Sequence, residues 1–168
     1  TGASRVAKAA PDGYTLLSGS AATHAYNQTL FRRPAYNAVT DFTPVVLIAD
    51  QPLILIVKKD LPASNLKEFI AYARANASKM QYGSAGAGTT THLACALLNA
   101  KVGVDITHVP YRGGGPASND LIAGQIDYMC GNLGTSAHRI GAKQVKGIAL
   151  LSRERSPLMP DLATAHEQ

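Results

Sequence analysis

A chain of 168 residues that is 46% hydrophobic and 16% charged has apolar material for one substantial core or parts of two, which excludes a disordered tail or linker. Its formal charge of +5 is scattered, with no cluster denser than Arg32 with Arg33, Lys58 with Lys59 or Arg153 with Arg155, and tryptophan is absent. Without a basic stripe interleaved with stacking aromatics, nucleic acid is excluded as a partner, and mild attraction for small anions is the expected consequence.

At the N-terminus no basic segment leads into an apolar stretch, so an export signal is expected to have been removed or to lie upstream of Thr1. Pro11, Asp12 and Gly13 form a turn that feeds a strand over 14–20. Residues 42–59 read as a strand, a break at 50–52 and a second strand, LILIVKK. The longest apolar run, 52–57, stops at Lys58 and Lys59, well short of the roughly 20 residues that cross a bilayer. The alternation then becomes regular. Ser64 or Asn65 caps a helix to about Asn76; a strand over 80–84, a helix over 91–100 and a strand over 105–110 follow. A helix over 116–123 closed by Gly124, a strand over 126–130, a short helix over 135–141 and a strand over 145–151 complete the pattern. Such βα alternation implies an α/β fold, a parallel or mixed sheet with helices on both faces.

The segment QYGSAGAGTTTH, 81–92, joins a short strand through Gly83, Gly86 and Gly88 to the start of a helix. The first turn of a helix has unpaired backbone N–H groups and the positive end of the dipole, so it holds an anion without lysine or arginine. We read this loop as half of a carboxylate grip. In sheets of this kind ligands sit beyond the carboxyl ends of the strands, where 84–91, 110–116 and 131–136 gather small residues that leave backbone amides accessible.

Enzyme motifs fail on their spacing. No lysine followed by serine or threonine comes after the last glycine of the loop, and the order of its glycines reverses the G-x-G-x-x-G fingerprint. Neither Ser20 nor Ser84 sits in G-x-S-x-G, and the five histidines are isolated. The chain reads as a non-enzyme without a cofactor. Cys95 and Cys130 lie in the same lobe and allow a disulfide if their Cα atoms approach within about 7 Å, the alternative being two buried thiols. A metal site of His92, Cys95 and Cys130 matches no standard zinc spacing, so no metal is expected.

Four stretches, RVAKAAPDGYTLL (5–17), DFTPVVLIADQPLILIVKKD (41–60), YGSAGAGTTTH (82–92) and THVPYRGGGPASNDLIAGQIDYM (107–129), resemble the tripartite tricarboxylate transporter receptor family, the TctC-like or Bug-type extracytoplasmic solute-binding proteins. The likeness runs through essentially the whole chain in the right order. It implies the type II periplasmic binding protein fold, here one complete Rossmann-like lobe plus part of a second lobe. It also implies a periplasmic protein that closes over a small carboxylate, a dicarboxylate or an aromatic or other organic acid, and presents it to the membrane permease subunits of the transporter. Family members are about twice as long, and their Pro-Phe-x-x-Gly-Gly segment has no counterpart here. The resemblance therefore implies a fragment: 1–51 a partial first lobe, 52–151 a complete second lobe and 152–168 a return segment into the first. Apolar faces of 14–17 and 45–48 left bare by the truncation would favour an oligomer.

Carried over residue by residue, the resemblance assigns Ser84, Ala85, Gly86, Gly88, Thr89 and His92 to the second-lobe side of the pocket. Ser84 and Thr89 would donate hydroxyls to a carboxylate oxygen, and the amides near Gly88 and Thr89 the remaining bonds. In the first lobe Ser18, Ser20, Thr23 and His24 follow the expected strand and either face the cleft or make local turn and cap hydrogen bonds. Arg112 either pairs with a distal carboxylate or anchors its loop through a salt bridge, the second reading being favoured. Asp120 and Asp127 read as solvated or capping residues. Many relatives carry an acidic residue where this chain has Gly131, which favours a plain organic acid over an amino acid. The fold also serves as the ligand-sensing domain of regulators or receptors, the alternative function for this chain.

Overall fold

The computed structural model describes residues 2–168 and divides the chain into two compact units, Thr1–Ala49 and Asp50–Gln168. In the first unit, α1 (Gly2–Val6) is followed by a long irregular stretch, then a π-helical turn (Ala22–Tyr26) running into α2 (Asn27–Leu30). Tyr36 organises this unit: it is buried, its hydroxyl donates to the Thr23 carbonyl at 2.6 Å, and it accepts from Asn27 Nδ2 at 2.8 Å. Phe42 meets His24 and Tyr36 edge-on, at ring separations of 4.9 and 5.5 Å.

The strands expected over 14–20 and 42–49 do not form. An extended segment becomes a strand only when a neighbour supplies ladder hydrogen bonds, and none of the described residues does so here. The Tyr14 amide turns back to Asp12 Oδ1 instead, and the Tyr14 side chain is 92% exposed. Val45, Val46, Leu47 and Ile48 likewise stand exposed.

The second unit holds a five-stranded sheet. Its strands are β1 (Leu53–Lys58), β2 (Gln81–Ser84), β3 (Thr107–Pro110), β4 (Tyr128–Asn132) and β5 (Val145–Leu150), in the order β3-β2-β4-β1-β5. β2 runs parallel to β3 and β4, whereas β1 is antiparallel to both its neighbours, β4 and β5. The helices are α3 (Leu66–Asn76), α4 (Thr90–Val102), α5 (Gly114–Ile122) and α6 (Leu133–Gly141). Sequence expectation and structure agree on each of these elements to within a few residues at the ends.

β1 shows why its sequence is apolar at successive positions. Leu55 and Val57 point into a core with Phe69, Ala73, Tyr82, Cys95 and Tyr128, while Ile54 and Ile56 point to the other face with Ala117, Leu121, Ile126 and Leu133. A central strand covered on both faces has no polar side to present, and each fully buried Leu or Ile contributes roughly 1.5–3 kcal/mol of transfer free energy. α3 begins at Asn65, whose Oδ1 accepts from the Glu68 amide at 2.9 Å while Glu68 Oε2 accepts from the Ser64 amide at 2.7 Å, a reciprocal cap.

Asp127 is neither solvated nor a cap. Its carboxylate pairs with Lys58 Nζ at 2.6 Å and accepts from the Gln81 amide at 2.7 Å, tying β1 and β2 to the start of β4. Asp120 is engaged too, accepting from the Tyr111 hydroxyl at 2.7 Å. Residues 152–168, expected as a return into the first lobe, lie within this second unit and fold back over β5. Ala165 donates to the Leu150 carbonyl, Leu150 and Thr164 form a parallel bridge, and the Gln168 side chain accepts from the Leu66 amide. Among the described residues no helix is long and apolar enough to cross a membrane.

Candidate functional site

β2, β3 and β4 run the same way, so their carboxyl ends share one edge of the sheet, and α4, α5 and α6 start from that edge. The glycine loop between β2 and α4 lies at the middle of these three connections. Gly83, the third residue of β2, has no room for a side chain: a Cβ there would collide with the Ile126 side chain. Gly86 and Gly88 have φ of +130° and +77°, backbone conformations that side chains with a Cβ resist.

The loop is closed by its own hydroxyls. Ser84 is fully buried, and its Oγ accepts from the Gly86 amide at 3.1 Å and shares a 2.7 Å hydrogen bond with His108 Nε2. Thr89 is the N-cap of α4: its Oγ1 accepts from the His92 amide and donates to the Gly86 carbonyl at 2.7 Å. Thr91 Oγ1 accepts from the Ala85 amide at 3.0 Å, and His92 Nδ1 accepts from the Gly88 amide at 3.2 Å. The next connection is zipped onto this one, Tyr111 N donating to the Ser84 carbonyl at 3.1 Å and Gly113 N to the Ala85 carbonyl at 3.2 Å.

The structure therefore distributes the candidate residues over two roles. The hydroxyls of Ser84 and Thr89 and the amides of Ala85, Gly86 and Gly88 are committed to the loop's own shape. The amides of Ala87, Thr90 and Thr91 have no acceptor among the described residues, and Ala87 is exposed. Ala87 and Thr90 contribute here through backbone N–H groups, which no residue type marks; only the cap at Thr89 places those groups at the helix start.

Behind the loop a row of rings crosses three adjacent strands. His92 stacks on His108 with centroids 4.1 Å apart, His108 on Tyr82 at 4.8 Å, and Tyr82 on Tyr128 at 5.6 Å, where Phe69 meets Tyr128 edge-on at 5.1 Å. Register produces this row, since Tyr82 is paired with His108 on one side and Tyr128 on the other. Burial, and secondarily the neighbouring His92, hold the His108 imidazole below its ordinary pKa. Burial also raises the Tyr82 phenol, with the Asp105 charge adding to it, and raises Tyr128, whose hydroxyl donates to Asn99 Oδ1 at 2.6 Å. Beneath the row Cys95 of α4 and Cys130 of β4 form a disulfide, so neither is a metal ligand.

Other candidates fall as follows. Arg112 is exposed and makes no ion pair among the described residues, so the favoured loop-anchoring salt bridge does not form. Gly131 lies inside β4 opposite Ile54, and a Cβ there would come within 2.7 Å of Ser136 Oγ. In the first unit, Ser20 and Thr23 cap one another: the Ser20 amide donates to Thr23 Oγ1 at 2.9 Å, and that hydroxyl donates back to the Ser20 carbonyl. Thr23 Oγ1 also lies 2.8 Å from His24 Nδ1, and Ser18 is exposed.

Comparison with known proteins gives this geometry its context. The chain superposes with a TM-score of 0.91 on periplasmic binding protein BugD, at 36% identity, covering 98% of this chain and 55% of that one. It matches R. palustris Rpa4515 with adipate at a TM-score of 0.92 and 38% identity, over 98% and 55% of the two chains. MatC (Rpa3494) from Rhodopseudomonas palustris with bound malate matches at 0.91 and 39% identity, over 99% and 56%. Curated relatives include a UPF0065 protein of Pseudomonas sp. (strain P51), 39% identical over 166 residues, which are 99% of this chain and 49% of the relative; the chain thus spans about half the length of the curated relatives it matches. The fold is that of the type II periplasmic binding proteins. The family model described as tripartite tricarboxylate transporter family receptor matches residues 1–168, and the chain belongs to that solute-binding receptor family.

Proposed function

We propose that this chain contributes the amide-lined side of a pocket for a small carboxylate in a periplasmic solute-binding protein. The acid is a dicarboxylate or another organic acid, and the protein hands it to the permease subunits of a tripartite tricarboxylate transporter. One observation carries the reading. At the start of α4 the amides of Ala87, Thr90 and Thr91 lack acceptors, in a loop whose other polar groups are already paired. The positive end of the helix dipole lies at the same place, which suits a carboxylate oxygen. The adipate bound to one structural neighbour and the malate bound to another support the carboxylate class.

Binding then involves no covalent step: the carboxylate completes hydrogen bonds that the loop leaves open, and closed-state contacts shift an open and closed equilibrium. Isothermal calorimetry of the intact protein against mono-, di- and tricarboxylates tests the reading. Micromolar or tighter binding of at least one such acid is expected, and heats indistinguishable from dilution for the whole panel would overturn it.

A further inference from the structure

The contact between His92 and the glycine loop has a chemical polarity that the anion grip itself does not use. His92 Nδ1 accepts from the Gly88 amide, so this nitrogen is unprotonated while the bond exists. The ring is stacked on His108, whose own Nε2 reaches Ser84 and, through the Ser84 hydroxyl, the Gly86 amide. The two imidazoles thus hold two of the three glycine-loop amides that define its path, one directly and one through serine.

We propose that His92 is a positioning residue that clasps the glycine loop at Gly88 while its Nδ1 is unprotonated and releases it when that nitrogen takes up a proton, His108 backing the ring from the other side and holding Ser84. A proton on Nδ1 turns the acceptor into a donor facing another donor 3.2 Å away, so the Gly88 bond breaks and the ring or the loop must move. His108 is the less disruptive site, since Nε2–H can donate to Ser84 while the Ser84 hydroxyl donates to the Gly86 carbonyl, 3.2 Å away.

The other titratable and charged groups around the pair do not relieve it. Tyr82 of β2, stacked on His108, and Tyr128 of β4 beyond it have phenols raised by burial and carry no charge at or below neutral pH; Cys95 and Cys130 are bridged. Asp105, ahead of β3, acts on Tyr82, and Asp127 acts on Tyr128 while paired to Lys58. Burial first, and His92 second, hold the His108 imidazole below its ordinary pKa.

The consequence for ligand capture rests on the carboxylate reading above. Capture by the clasped loop is strongest while His92 Nδ1 accepts from Gly88 and weakens as acid opens that bond, because the loop then loses the shape that presents its open amides. The expected loss is about tenfold between about pH 8 and about pH 5.5, the worth of one hydrogen bond.

The decisive measurement is amide NMR of the ligand-free intact protein from about pH 8 to about pH 5, with calorimetry of malate and adipate over the same range. The Gly88 amide is expected to shift upfield and exchange faster in step with the imidazole resonances. His92→Asn, whose side-chain carbonyl replaces Nδ1 but takes no proton, is expected to flatten that profile; His92→Phe, which keeps a ring without an acceptor, is expected to give the released Gly88 signal at every pH. A Gly88 amide indifferent to pH overturns the clasp whatever binds. A titrating Gly88 amide with pH-independent affinity for malate or adipate overturns its coupling to capture. A titrating Gly88 amide with no binding of either acid at any pH supports the clasp and counts against the carboxylate reading instead.

Discussion

Cys95 and Cys130 are bridged with their Cα atoms 5.6 Å apart and both side chains fully buried, so α4 is tied to β4 one helical turn beyond His92. A link across 35 residues removes loop-closure freedom from the unfolded chain, worth about 4 kcal/mol in the chain-entropy description. The double substitution of Cys95→Ala with Cys130→Ala should lower the urea midpoint by the corresponding amount. Thiol titration of the denatured, unreduced protein should find no free thiols; finding two would refute the bridge.

Replacing Gly88 tests the site at a backbone position that resists a Cβ. Its φ of +77° lies in the left-handed region, where a residue with a Cβ costs roughly 1–2 kcal/mol. Gly88→Val is therefore expected to weaken malate or adipate binding by about tenfold or more, with the far-ultraviolet dichroism of the sheet retained. Thr89→Val removes the cap and its bond to the Gly86 carbonyl and should cost about 1 kcal/mol of stability together with affinity. Native affinity in both variants, measured by calorimetry, would place the ligand elsewhere.

Asp127 should prove more important to folding than its surface salt bridge alone suggests. Asp127→Ala removes the partner of Lys58 and also leaves the Gln81 amide without an acceptor, a charge-assisted bond worth about 1.5–3 kcal/mol. Lys58→Met leaves that amide satisfied and removes only the cation, whose side chain is 30% exposed, so its loss is expected to be the smaller of the two. Denaturant titrations of the two variants should differ in that order; equal losses would reduce Asp127 to its ion pair.

Alkaline pH should report on Tyr111. Burial, then the hydrogen bond to Asp120 and its charge, push the Tyr111 phenol up to about 12. The unfolded chain loses this proton near pH 10, the folded chain later, so the stabilisation is intact below pH 10 and is lost as pH rises towards about 12. Ultraviolet difference titration should show a late-ionising tyrosine that moves earlier in Asp120→Ala. A tyrosinate spectrum unchanged by that substitution would show that Asp120 does not hold the phenol.

Much of the second unit was legible from periodicity, because each of its elements is long enough to bear a pattern and local in its cues. Asn65 capping the Glu68 amide, Gly124 behind α5 and the apolar run of β1 are all decided within a few residues. Residues 14–20 and 42–49 carry equally good strand patterns and form no strands, because a pattern specifies which side chains a strand would bury and cannot supply the neighbouring backbone that makes it one. The hydroxyls of Ser84 and Thr89, expected to donate to a carboxylate, bond in this structure to His108 and to the Gly86 carbonyl, partners that only the folded loop brings within reach.

Composition and local pattern alone determined the α/β alternation, the glycine loop at a helix start, the absence of an enzyme motif and the resemblance to the receptor family, because each depends on short-range spacing. Tertiary structure decided which amides of the loop stay open, that His92 and His108 meet face to face, and that Asp127 joins three strands. Those outcomes depend on strand register, which brings residues far apart in sequence within a few ångströms and which no local window contains.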